Sequence, residues 1–159
     1  MSICEGLADQ IRRAFEGEAW HGDSLLEILA DVDAGMAADH PVNSAHSIWE
    51  LVLHIAAWDG AVLRRAQGGV VVLPESENFP SVEETGEDEW KKAIANATAK
   101  HAELVRVVVV FPDSRLQDRV PGRKEPYYDF FYMFSGIAQH ETYHTGQIAL
   151  LKKMAKAAG

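Results

Sequence analysis

Two histidines one helical turn apart, His140 and His144, lie in the run Gly136-Ile-Ala-Gln-His-Glu-Thr-Tyr-His-Thr-Gly-Gln-Ile148. Side chains at i and i+4 of a helix are neighbours, so both imidazoles can reach one divalent ion about 2.0–2.1 Å from each nitrogen. The pair falls on the stripe Phe130, Phe134, Ile137, His140, His144, Ile148 and Leu151, whose spacing traces one helix face. Polar groups on such a face need partners, because an unpaired buried one costs about 1–3 kcal/mol. A metal ion would satisfy both rings at once, and two hydrogen-bonded core histidines are the plain alternative. The string His140-Glu-Thr-Tyr-His144 also matches H-E-x-x-H, where the Glu, here Glu141, would be a protease's general base. A protease further needs a third ligand and a substrate cleft.

A third nitrogen is available in Ile48-Trp-Glu-Leu-Val-Leu-His-Ile-Ala-Ala-Trp-Asp59. His54 follows Leu51 by three and precedes Trp58 by four, so it borders a buried face. Alone it reads as a satisfied core histidine. Beside a His pair on a neighbouring helix it would complete three protein ligands with an open position, the donor set of a catalytic zinc-type site.

The elements that must position these residues are helical almost throughout. Ile3, Leu7, Ile11 and Phe15 predict a first helix. Asp23 or Ser24 can cap a short second one over Leu25–Val32, ended by Gly35, with 36–43 a loop. Ser44 or Ser47 starts a long helix to about Ala66, stopped by Gly68-Gly69. Val70–Leu73 is β-like but leads into Pro74 and Pro80, so residues 70–80 read as a connecting loop. Trp90, Ile94, Ala97, His101, Leu104, Val108 and Phe111 mark a third long helix from about Glu87 to Val110. A polar loop over Pro112–Pro126 precedes a final helix from about Tyr127 to Lys156. The expected fold is all-α, one domain over residues 1–159: a four-helix bundle with a crossover connection and one short additional helix.

Bulk properties narrow the function. A net charge of −9 argues against nucleic acid as partner. No apolar run is long enough to span a membrane. The single cysteine, Cys4, and a start without basic or apolar signal regions make a cytoplasmic protein the expectation. Cys4 is expected in a frayed terminus. His101 sits on a helix seam and His21 at a glycine-bracketed turn, and either could approach the same cavity. His40 and His46 read as exposed. Gln147, three residues after His144, could hold an imidazole N–H. Glu50 could do the same for His54, though an exposed ion pair is the simpler reading. Gly146 suggests close helix packing, Tyr143 a cavity or dimer contact, and Trp49, Trp58 and Trp90 core.

Taken together, Ile48-Trp49, His54-Ile-Ala-Ala-Trp58 and His140-Glu-Thr-Tyr-His144-Thr-Gly-Gln-Ile148 resemble the DinB/YfiT-like superfamily of metalloenzymes. Phe15-Glu-Gly-Glu-Ala-Trp-His-Gly22 resembles one of its subgroups, and the likeness runs from about Phe15 to Lys153. It implies a four-helix bundle, often a homodimer, with a divalent metal ion such as zinc or nickel on three histidines. Those positions are His54, His140 and His144. It weighs against Glu141 as a protease base. Members that use low-molecular-weight thiols imply a small-molecule substrate and a metal-dependent S-transferase or related transferase or hydrolase, in which the metal stabilises a thiolate. Arg123 or Lys124 would then be candidates for binding an acidic thiol. The rival expectation is a non-catalytic bundle stapled by its metal. No residue is singled out as catalytic.

Overall fold

Three helices begin with the same device. Ser2, Ser24 and Ser47 each accept a bond from the backbone N–H three residues on, and Glu5, Glu27 and Glu50 bond back to the serine's own N–H. Each such capping box satisfies two donors that a helix end otherwise leaves orphaned. The computed structural model describes residues 1–158, and these form seven helices and no strand. They are α1 (Ile3–Glu16), α2 (Leu25–Leu29), α3 (Ala34–Ala38), α4 (Ile48–Ala66), α5 (Glu75–Asn78), α6 (Glu87–Val109) and α7 (Phe130–Ala158). The four long helices α1, α4, α6 and α7 pack together as the expected all-α bundle.

The bundle's seams have steps of three and four. Buried along them are Cys4, Ala8, Ile11 and Phe15 on α1, and Ile48, Val52, Ile55, Asp59, Val62 and Ala66 on α4. Trp90, Ala97, His101, Leu104 and Val108 do the same on α6. On α7 the buried row is Phe130, Phe134, Ile137, Glu141, His144, Ile148 and Leu151. Helices α1 and α4 face each other across a diagonal, each flanked by α6 and α7. Trp49 packs on Trp90 and Asp59 meets His101, so α4 and α6 run in the same direction. Residues 67–86 must therefore return along the bundle between them, which is the crossover.

Several expectations need correction. The buried face of α1 runs through Cys4 and Ala8, while Ile3 is 56% exposed. The start of α1 is not frayed: Asp113 accepts from the backbone N–H groups of Ile3 and Cys4, each at 2.9 Å. Burial and the Asp113 carboxylate push the Cys4 thiol up to about 12, which makes it inert as a nucleophile. The single short helix becomes three. Asp33 caps a separate helix through the Met36 N–H, so α2 ends at Leu29 and Gly35 lies inside α3 rather than ending a helix. The crossover carries the third, α5. Asp129 accepts from the Tyr132 N–H at 2.8 Å and sets the start of α7 later than Tyr127. Gly146 is exposed and a Cβ there would meet nothing, so close packing does not explain it.

Candidate metal centre

Helix α4 brings His54 against His140 and His144 on α7. Three ring nitrogens converge: His54 Nε2 lies 3.0 Å from His140 Nε2 and 3.1 Å from His144 Nε2, and the last two are 3.1 Å apart. The other edge of two rings is already committed. His54 Nδ1–H donates to the Asn78 carbonyl at 2.7 Å, and His144 Nδ1–H donates to Gln147 Oε1 at 2.6 Å. These bonds fix the tautomers, so the two neutral rings turn bare Nε2 lone pairs toward each other. Facing lone pairs at that separation repel unless a cation lies between them. Bonds of about 2.0–2.1 Å to one ion set neighbouring nitrogens roughly 3 Å apart, so the donor set fits a divalent metal.

The electrostatics point the same way. Burial lowers the pKa of His54, and it lowers that of His144 despite the Gln147 contact. His140 is pushed down to about 3, first by burial and then by His144 and His54. The cluster is therefore neutral near pH 7, the protonation state in which imidazole is a ligand. Phe79, from the crossover, stacks on His54 with ring centres 4.0 Å apart. On its open side the triangle lines a cavity of about 590 Å³, walled by Trp58, Val62, Phe79, Tyr128, Met133 and Arg123 among others.

Directly behind this site lies a closed polar layer. His101 Nδ1–H points between Glu141 Oε1 at 3.0 Å and Asp59 Oδ2 at 3.3 Å, and Phe15 stacks on the imidazole at 4.1 Å. All three polar residues are fully buried. Burial first, and then the Asp59 charge, raises the Glu141 pKa well above the ordinary carboxyl range. Burial alone would depress His101, but its bonds to Asp59 and Glu141 outweigh that and push it to about 9. Asp59 from α4, Glu141 from α7 and Phe15 from α1 thus meet His101, while His101 Nε2, Asp59 Oδ1 and Glu141 Oε2 are buried without a hydrogen-bond partner.

A pH dependence follows from His101. Its folded pKa lies above the unfolded value of 6.5, so the folded chain holds a proton that the unfolded chain releases. That stabilisation is complete below the unfolded value and is lost as pH rises through about 9. Thermal melts should show stability falling over this window by up to about 1.4 kcal/mol per pH unit. A His101→Gln variant should lose the slope, and a flat wild-type profile would contradict the assignment.

The remaining candidates separate cleanly. Glu141 faces His101 and not the histidine triangle, so it cannot serve there as a protease base. Glu50 caps α4 and contacts the exposed His40 and His46 rather than His54. His21 is exposed and lines surface hollows away from the triangle. Tyr143 is 65% exposed. Trp49 and Trp90 are core, but Trp58 is a cavity wall whose Nε1–H donates to the Asn78 side chain at 2.9 Å. Sequence reasoning missed Asp59, Asn78 and Phe79. Asp59 carried a signal, since it sits on the buried row of α4 four residues after Ile55. Asn78 and Phe79 carried none.

Among the described residues, no helix is long and apolar enough to cross a membrane. In comparisons with known proteins, residues 19–148 match the family described as the DinB superfamily. Neither a curated protein nor a solved structure gives a match.

Proposed function

The chain belongs to the DinB superfamily, and from that premise we propose that it is a metal-dependent enzyme acting on a small molecule, with a thiol-dependent S-transfer as the reaction. The observation that carries this reading is the triangle of three Nε2 atoms opening on an apolar, aromatic-walled cavity. His54, His140 and His144 would hold a divalent ion, zinc or nickel. An ion on three neutral imidazoles keeps its full charge and supplies Lewis acidity, which favours the thiolate form of a bound thiol. Structural zinc sites usually fill four positions with protein ligands, whereas three ligands leave one open for chemistry.

The chain's own groups have definable roles. Asn78 and Gln147 hold the His54 and His144 rings in the ligand tautomer. Trp58, Phe79 and Met133 exclude water from the electrophile. The thiol's sulfur forms a bond to the electrophilic carbon, the leaving group departs with its bonding pair, and the thiol proton passes to solvent.

The test is an assay of zinc- and nickel-loaded protein with cysteine, glutathione and other small thiols against chlorodinitrobenzene. Product formation should need both metal and thiol and should stop after chelation. Uniform inactivity across thiols and electrophiles would overturn the S-transfer reading. A non-catalytic staple would instead show as a large loss of thermal stability on chelation with no turnover.

A further inference from the structure

The cavity beside the three histidines has one permanently charged side chain in its wall, Arg123. In a chain of net charge −9 this cation is no part of a general basic surface. Lys124, its neighbour, is exposed and lies outside the cavity wall.

Arg123 is held in place by a built arrangement. Pro121-Gly122 turns the chain with Gly122 at φ +80, a conformation in which side chains are strained, and a Cβ there would also come within 2.6 Å of Val70. The Val120 N–H donates to the Tyr128 carbonyl at 3.1 Å, which brings residue 128 beside the turn. The guanidinium carbon of Arg123 then lies 4.1 Å from the centre of the Tyr128 ring. Tyr128 is itself anchored from behind: buried Arg65 donates to its hydroxyl at 3.5 Å and to the Val71 carbonyl at 2.8 Å. A guanidinium stacked by its face keeps its in-plane N–H edge for a planar acceptor, which is the geometry a carboxylate uses.

Among the described residues, no acceptor makes that hydrogen bond to Nε. The Arg123 Nε atom is covered and has no hydrogen-bond partner, while the side chain as a whole is 33% exposed. The Glu125 carboxylate is 3.5 Å from it, near enough to attract but out of line for a hydrogen bond. A donor atom left in this state is unfavourable, and a ligand's acceptor would satisfy it.

We propose that Arg123 is the anchor for a carboxylate on the molecule that enters the cavity, so that the pocket takes small organic acids with an aromatic or apolar body. The acid end lies on Arg123, and the rest lies along Trp58, Tyr128 and Met133 toward the histidines. The substrate class is a deepening of the function proposed above and rests on that reading, but its binding test does not require turnover.

The probes are phenylacetate, phenylpropionate and phenylbutyrate, each against its amide, titrated calorimetrically into the full chain with zinc and after chelation. The best-fitting acid should bind about tenfold tighter than its amide, the size of one charge-assisted bond. Arg123→Gln should erase that preference while leaving zinc content unchanged. Glu125→Gln should strengthen acid binding by removing the competing charge. Equal binding of acids and amides, no binding of any acid, or an unchanged preference in Arg123→Gln would overturn the proposal. If acids bind as expected and no thiol is transferred, the S-transfer reading fails and the anchor stands. A preference that survives in Arg123→Gln only with zinc present would place the acid on the metal instead.

Discussion

Replacing His144 with alanine is expected to remove bound metal, with elemental analysis reading about one ion per chain in the wild type and background in the variant. The expectation rests on the triangle having no spare donor: His54, His140 and His144 are the three side chains whose ligand atoms converge there. Without metal, the fold should tolerate the change, because the substitution also removes one of the mutually repelling lone pairs. Metal-free melts of wild type and variant should lie close together. The difference should appear on adding zinc. An ion at a hundred times its dissociation constant stabilises the wild type by about 2.7 kcal/mol, and the variant should gain little. His54→Ala should behave the same way. Gln147→Leu should be milder, since losing the partner that orients a ligand costs about 10–100-fold in affinity. Equal zinc-induced shifts in wild type and both alanine variants would remove the candidate site altogether.

The second large effect is expected one residue from a ligand, at a side chain turned toward α6. Glu141→Ala should destabilise the fold by about 2–4 kcal/mol, the cost of opening a cavity in the core and of taking one acceptor from the buried His101 N–H. For a domain of this size that corresponds to a fall in melting temperature of roughly 10 °C. Glu141→Gln should cost far less. The carboxyl is held protonated by burial and by Asp59, so an amide reproduces both its neutrality and its hydrogen bond to His101. The glutamine variant should also keep its metal. A protease-type base would differ in activity rather than in folding, with Glu141→Gln folding normally but losing all turnover. If Glu141→Ala melts like the wild type, the polar layer contributes nothing and the assignment fails.

These two cases show what could be read from residue order. The long helices were legible because apolar steps of three and four run unbroken along α4, α6 and α7. The histidine triangle was legible because His140 and His144 share a face and His54 borders another. The stripe first traced on α7 nevertheless passed through His140. The buried row passes through Glu141 instead, and His140 sits on its flank, partly buried at the cavity wall. A carboxylate invites placement on the surface, and only its partners on α4 and α6 explain its burial. The same physics hid α3, whose apolar residues are too few to show a period, and whose start depends on Asp33. The contacts from Asn78 and Phe79 depend on where the crossover lies, and local spacing carries no information about that path.

The layer of Asp59, His101 and Glu141 also bears on how the chain chooses among competing arrangements. Aliphatic layers are nearly interchangeable, so helices joined by long connections could slide by a heptad or pair across the wrong diagonal with little loss of apolar contact. One polar layer removes that degeneracy. Any slipped alignment sets two carboxyls and an imidazole against aliphatic neighbours, and each unmatched group adds its own desolvation penalty. The layer therefore acts as an alignment key. Because Asp59 follows His54 by five residues and Glu141 follows His140 by one, the register it selects is also the one that brings the three ligand nitrogens together.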